Sequence, residues 1–281
     1  MNNPGEILYR PRGLFRSNHL GPHASTEVGG FGVFRDQAPF LRYPDARRID
    51  IKASLRDPFE QVYVRRFEQR QAVDVIAIVD LSASMGCGGG CDKFALACEA
   101  AESLAYSATK IGDRFGLIAC DQAIREDMLL LPTRSRGLAL RSTWRLQEER
   151  PDGKSAEGFI AAAKALGATR KLVLLISDFR WPQQLLERVF DAFALHDTTP
   201  LVFLDSAEEA PPAWGLLELI DSESGARKLW AMRPSLRARW IEQEKERQAF
   251  LTALATNHCR APIFIRDRFN PDILSLQLMA A

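Results

Sequence analysis

Asp80, Ser82 and Ser84 stand at alternate positions directly after the apolar run Val73 to Val79. In an extended segment alternate side chains share a face, so these three can converge while Leu81, Ala83 and Met85 turn toward a core. One carboxylate and two hydroxyls offer only hard oxygen donors. Such donors suit Mg2+, which takes near-octahedral oxygen coordination and keeps several of its waters, and they require neither thiol nor imidazole.

From Val73 onward, short apolar runs alternate with amphipathic stretches, the pattern of an α/β fold with a doubly wound, mostly parallel sheet. Strands are expected at Val73 to Val79, Phe115 to Ala119, Met128 to Leu131, Lys171 to Ile176, Leu201 to Leu204 and Pro262 to Ile265. Helices are expected at Phe94 to Lys110, Gly137 to Glu148, Ala156 to Leu166, Pro182 to Leu195 and Ser235 to Thr256, where apolar residues recur at three and four. Ligands of such sheets lie beyond the carboxyl ends of the strands, where loops from different strands meet. Two further loops bring oxygens there: Ser155, in the turn Gly153-Lys154-Ser155, and Asp178, after the run Leu172 to Ile176.

Two segments break the alternation. Residues 1–72 carry 12 basic and 8 acidic side chains, are rich in arginine, glycine and proline, and show one strand pattern, Gln61 to Phe67. They read as an N-terminal extension packed on a main domain spanning 73–275. Trp214 to Met232, with Ser222-Glu223-Ser224-Gly225 between apolar stretches, reads as a hairpin inserted before the longest helix.

Composition narrows the function classes. The 281 residues are 46% hydrophobic, enough for a sizeable core, and 37 basic against 36 acidic side chains leave a net charge of +1. That balance gives no electrostatic case for nucleic acid or an acidic membrane surface. With neither a signal peptide nor an apolar membrane span, the expected location is cytoplasmic. Five cysteines fit a reducing compartment, and the Cys87-Gly88-Gly89-Gly90-Cys91 spacing, without a second ligand pair, reads as a flexible glycine loop.

With Asp80-x-Ser82-x-Ser84, a later hydroxyl at Ser155 and an aspartate at Asp178, the chain resembles the von Willebrand factor type A family and its metal-ion-dependent adhesion site. That family's pattern is D-x-S-x-S, then threonine, then aspartate. The resemblance implies a metal set of Asp80, Ser82, Ser84, Ser155 and Asp178. The hydroxyls would contact Mg2+, the aspartates would act through water, and an acidic group of a partner would complete the shell. Ser155 replaces the usual threonine but keeps the hydroxyl; Lys154 beside it brings a positive charge, and Ala156 stands where relatives often have aspartate.

A broader resemblance runs over residues 30–275. Arg47-Arg48-Ile49-Asp50-Ile51-Lys52-Ala53-Ser54, Val64-Arg65-Arg66-Phe67-Glu68, Gly112-Asp113-Arg114, Ser177-Asp178-Phe179 and His196-Asp197 occur in an order similar to von Willebrand A-like proteins that accompany MoxR-type AAA+ ATPases. Ile51 and Arg66 depart from the common tryptophan and glutamate. The resemblance implies a non-enzymatic adaptor that works with a MoxR-type AAA+ ATPase on a client protein complex. The compact form is similar to members linked to methanol dehydrogenase maturation.

Competing chemistries meet specific obstacles. A phosphatase of the haloacid-dehalogenase type would also place Asp80 after its first strand as nucleophile beside Mg2+, but Ser82 stands where its second acid belongs. Gly153-Lys154-Ser155 ends like a P-loop, yet Glu148 occupies the first glycine's place. Cys91 replaces the third glycine of a dinucleotide fingerprint. His196 and His258 lack a nucleophile context, and no G-x-S-x-G elbow occurs. A metal-independent adaptor is the other binding reading, docking through Arg47, Arg48, Arg65 and Arg66 unless these pair with Asp45, Asp50 and Glu68.

Overall fold

The computed structural model describes residues 4–13, 15, 20–29, 33–87, 89–220 and 227–280. Its contacts divide the chain into two compact units: Gly13–Val73, and Met1–Arg12 together with Asp74–Ala281.

The smaller unit holds three strands where the sequence pattern points to one. β1 (Leu20–Gly29), β2 (Val33–Pro39) and β3 (Tyr63–Gln71) form an antiparallel sheet in the order β1-β3-β2, with the short helix α1 (Ile51–Arg56) between β2 and β3. Register shifts at Leu20/His23, Ala24/Val28 and Phe34/Asp36 interrupt the period-2 pattern that would have announced β1 and β2. Asp50 caps α1 by accepting the Ala53 N–H at 3.2 Å, while its other oxygen takes Gln37 Nε2 at 2.9 Å and Arg65 Nε at 2.8 Å. The Arg65 bond, then the Ala53 amide, hold the Asp50 pKa down at about 2. Arg48 pairs with Asp45 at 3.0 Å, and Arg66 pairs with Asp36 beneath the Tyr43 ring. Three of the four arginines of the expected docking face are thus engaged within their own unit; the Glu68 side chain lies outside the described set.

The larger unit is the expected α/β fold. In chain order its elements are β4 (Asp74–Asp80), α2 (Lys93–Ile111), β5 (Arg114–Cys120), β6 (Leu130–Thr133), α3 (Arg136–Gln147), α4 (Gly158–Leu166), β7 (Leu172–Ser177), α5 (Gln183–Ala192), β8 (Asp197–Leu204), α6 (Ser206–Glu209), β9 (Gly215–Ile220), β10 (Arg227–Met232), α7 (Pro234–His258), β11 (Ile263–Arg266) and α8 (Pro271–Ala280). The six-stranded sheet runs β11-β8-β7-β4-β5-β6, all parallel except β6 against β5. β9 and β10 pair antiparallel as a separate two-stranded hairpin, whose turn, Ser222 to Gly225 included, lies outside the described residues.

The two faces of the sheet bury different residues of the same strands. Ile76, Ile78, Ile118, Val173, Leu175, Val202 and Leu204 pack with Phe159 of α4, Val189 and Phe190 of α5, and Leu251 and Ala255 of α7. The alternate residues Val75, Ala77, Val79, Leu117, Leu172, Leu174 and Phe203 are buried as well, which is why the strands read as continuous apolar runs. α2 is stopped by Gly112, whose φ of +91° supplies the left-handed cap. Along the chain the six strands follow the doubly wound order 3-2-1-4-5-6, and the reversal falls between β4 and β7. Asp80 ends β4, and Asp178 follows the last residue of β7.

A buried ion pair ties the far edge together. Arg260 holds Asp197 with two bonds, 2.8 and 2.6 Å, and also donates to the carbonyls of Leu278 and Arg10 at 3.3 and 2.7 Å.

Candidate metal centre

β4 ends at Asp80, and the chain then turns rather than continuing as the extended segment expected from sequence. Ser82 keeps extended dihedrals (φ −64°, ψ 150°), and Ala83–Gly86 form a single 3-10 turn. The convergence survives the change: Ser82 Oγ lies 3.2 Å from Ser84 Oγ, and Ser84 Oγ donates to Asp178 Oδ1 at 3.1 Å. Leu81 and Met85 point into the core as expected, whereas Ala83 is only half-buried.

Asp80 is fully buried beside the cluster. Its Oδ1 accepts the Ser82 N–H at 2.7 Å; its Oδ2 accepts Ser177 Oγ at 2.6 Å and Trp181 Nε1 at 3.1 Å. Burial, followed by the charge of Asp178, pushes its pKa up to about 7, against the pull of the Ser177 and Ser82 hydrogen bonds.

The Ser155 loop docks on the same segment through its backbone. Ala83 N–H donates to the Gly153 carbonyl at 2.8 Å, and Gly153 N–H donates to the Leu81 carbonyl at 3.0 Å, forming a parallel bridge between Ser82 and Gly153. A β-carbon on Gly153 would stand 2.4 Å from Asp121 Cβ and 2.9 Å from the Leu81 oxygen, so the approach requires glycine. Ser155 Oγ accepts the Glu157 N–H at 3.1 Å. Lys154 is exposed and forms no ion pair among the described residues. Of the five expected ligands, side-chain hydrogen bonds join Ser82, Ser84 and Asp178; Asp80 adjoins them through the Ser82 N–H and hydroxyl, and Ser155 through its loop.

The donor spacing suits a small divalent cation. An octahedral ion with ligands at about 2.1 Å places neighbouring oxygens roughly 3 Å apart. The observed 3.2 and 3.1 Å separations fall close to that edge.

The strongest charge beside the cluster is a residue the sequence pattern did not expose. Lys93, the first residue of α2, is 1% exposed, and its Nζ donates to Asp178 Oδ2 at 2.9 Å and to both oxygens of Glu208 at 3.0 and 3.1 Å. Burial acts to lower its pKa, but the charges of Asp178 and Glu208 outweigh it and hold the ammonium above the ordinary lysine range. The alternation of charge continues outward: Arg180 lies 3.3 Å from Glu208 and 3.5 Å from Glu244, and Arg247 pairs with Glu244 at 2.6 Å. Arg247 Nη1 also donates to the carbonyls of Asp178 and Phe179, both at 3.4 Å. This clamp spans a strained turn, for Phe179 sits at φ +50° with its ring stacked on Phe190 and tilted against Trp181. The available sequence signals were slight: a cation in the first turn of a helix, where the dipole disfavours it, and the Ser177-Asp178 doublet.

The glycine loop is pinned, in contrast to the flexible loop expected. Asp205 Oδ2 accepts the N–H groups of Gly89, Gly90 and Cys91 at 3.0, 2.7 and 3.3 Å, and Oδ1 accepts that of Ala207 at 2.8 Å. Burial opposes the charge of Asp205, and these amides outweigh it to lower the pKa. Cys91, Asp205 and Asp267 bring ligand atoms within 4.8 Å of one another, but Asp267 is also occupied, accepting the Ser206 N–H at 2.8 Å. These bonds make the cluster a loop clamp. All five cysteines are free thiols.

Fold and site together define a doubly wound α/β domain with an oxygen-lined cluster at its topological switch point. Residues 43–250 match the family described as "Protein of unknown function DUF58", and the chain belongs to that family. It is similar to an uncharacterized protein of Mycobacterium tuberculosis, 24% identical over 256 residues that cover 89% of this chain and 78% of that protein. It is also similar to a Paracoccus denitrificans protein named "Uncharacterized protein in moxR 3'region", 35% identical over 104 residues covering 37% of this chain and 99% of that one. Among solved structures it is similar to BatB from Bacteroides thetaiotaomicron, at 13% identity and a TM-score of 0.45, covering 74% of this chain and 96% of that one. Among the described residues no helix is long and apolar enough to cross a membrane.

Proposed function

We propose that this chain is a non-enzymatic, cytoplasmic protein-binding adaptor that captures an acidic side chain of a partner through a divalent cation. Asp80, Ser82, Ser84, Ser155 and Asp178 would hold the ion, with Mg2+ the species their oxygens suit. The observation that carries this reading is the meeting of Ser82, Ser84 and Asp178 while Asp80 spends both oxygens on protein donors. Neutral hydroxyls in contact and a carboxylate held one shell out leave a bound ion electrophilic, with a position open to a glutamate or aspartate from another chain. Ser177 and Trp181 fix Asp80 in its outer role; the Gly153 bridge sets the height of the Ser155 loop; Arg247 holds the backbone that presents Asp178.

The partner we propose is a MoxR-type AAA+ ATPase, with which the chain would act in assembly, maturation or metal insertion of a client protein complex. The Paracoccus relative's name, which places it in a moxR 3' region, supports this pairing. Pull-down of the full chain with such an ATPase tests both parts. Binding should require Mg2+ and should be lost on chelation and in Asp80→Ala, with the circular dichroism spectrum unchanged. Capture that ignores both chelator and Asp80→Ala overturns the metal mechanism.

A further inference from the structure

A fully buried lysine is rare, and Lys93 is placed against two electrostatic preferences at once. Its ammonium is out of water, and it belongs to the first turn of a 19-residue helix, the end whose dipole repels cations. Asp178 and Glu208 are the groups that offset these costs, and the three hydrogen bonds they accept match the three donors of an ammonium. Asp178 is shared: one oxygen faces Lys93, and the other takes Ser84 Oγ and the Arg180 N–H at 3.1 Å each. The ammonium therefore binds one oxygen of the same carboxylate whose other oxygen joins the hydroxyl cluster.

Resting on the reading of that cluster as a divalent-cation site, we propose that Lys93 is a built-in competitor for the ion. It satisfies Asp178 in the metal-free protein, lowers the site's affinity for a divalent cation, and shifts its hold toward Glu208 when the ion enters. Two positive charges cannot share one carboxylate at contact distance without mutual repulsion of several kT in a partly desolvated site. Glu208 is 24% exposed and lies on the short helix α6, so it is the carboxylate placed to keep the ammonium while Asp178 turns to the ion. The charge of Glu208 thereby becomes a determinant of metal affinity, although it is no ligand.

Titration of the full chain with Mg2+ and Mn2+ by calorimetry tests this, using wild type, Lys93→Met, Glu208→Gln and Asp80→Ala. Lys93→Met should bind at least tenfold tighter than wild type. Glu208→Gln should bind at least threefold weaker, because the unshared ammonium then rests on Asp178 alone. Equal or weaker binding by Lys93→Met overturns the competitor role. Should that variant fail to fold, unchanged affinity in Glu208→Gln overturns it, and the predicted weakening supports it. Asp80→Ala separates the two proposals: ion binding lost there but indifferent to Lys93 sinks only the competitor role. Binding that survives Asp80→Ala, or no binding by any form, sinks the site and the competitor together.

Discussion

Asp80 carries a stability cost that can be measured without any partner. Burial, then the neighbouring Asp178, disfavour its charge and push its pKa from an ordinary 3.8 up to about 7. Below pH 4 the carboxyl is protonated in folded and unfolded chains alike, and no penalty exists. As the pH rises through 7 the unfolded chain has already released its proton while the folded chain still holds it, so stability falls. The slope is about 1.36 kcal/mol per pH unit, which gives roughly 2–3 kcal/mol between pH 5 and 7. His196 works in the opposite direction. Burial, then the charges of Lys171 and Arg170, lower its pKa to about 4, so its contribution is present above 6.5 and is lost as the pH falls through 4. Over pH 4–6.5 the two effects offset each other in the wild type. Asp80→Asn removes the first and leaves the second. Urea unfolding of both proteins in EDTA at pH 5, 6, 7 and 8 should show the stability of Asp80→Asn, relative to wild type, rising by roughly 2–3 kcal/mol from pH 5 to 7 and levelling above it. The Asn amide turns a donor toward one of the donors that Asp80 accepts, which shifts the whole difference curve but not its slope. A difference that stays constant with pH, or declines, refutes the reasoning.

Three further expectations concern other parts of the molecule. Arg260→Met would leave Asp197 buried with its ion partner removed, and thermal unfolding should record a loss of about 3–5 kcal/mol, equivalent to a fall of roughly 10 °C in Tm. Gly153→Ala forces a β-carbon into Asp121 and the Leu81 carbonyl, so the Ser155 loop should lift and Mg2+ affinity by calorimetry should drop about tenfold with the helical signal retained. Charge reversal at Arg48 and Arg65 should reduce the stability of the small unit through Asp45 and Asp50 while leaving metal-dependent capture in a pull-down unchanged.

Strands buried on both faces were the legible part of this fold. Val75 to Val79 and Leu172 to Ile176 are apolar throughout because helices cover each side, and the expected strands Val73 to Val79 and Lys171 to Ile176 match β4 and β7 within a residue or so. The edge strand was harder: Met128 belongs to a 3-10 turn, and β6 begins at Leu130. Bulges hid β1 and β2, and α8 begins at Pro271 without a helical stripe that marks it. The oxygen cluster was readable where it is local, as in the neighbours Ser82 and Ser84 after Asp80. Lys93 was not, because its partners stand 85 and 115 residues away and only the folded sheet brings them to one ammonium. Ser177 and Trp181 were missed for the same reason: their task is to hold Asp80, a role without a motif.

The proposed capture of a partner requires a divalent ion between the loops of β4 and β7. Crystals soaked in Mn2+ and measured at an anomalous wavelength should show a peak within about 2.2 Å of the Ser82 and Ser84 hydroxyls, with Asp80 one water removed. An empty cluster at saturating Mn2+, or a peak confined to Cys91, Asp205 and Asp267, would contradict it.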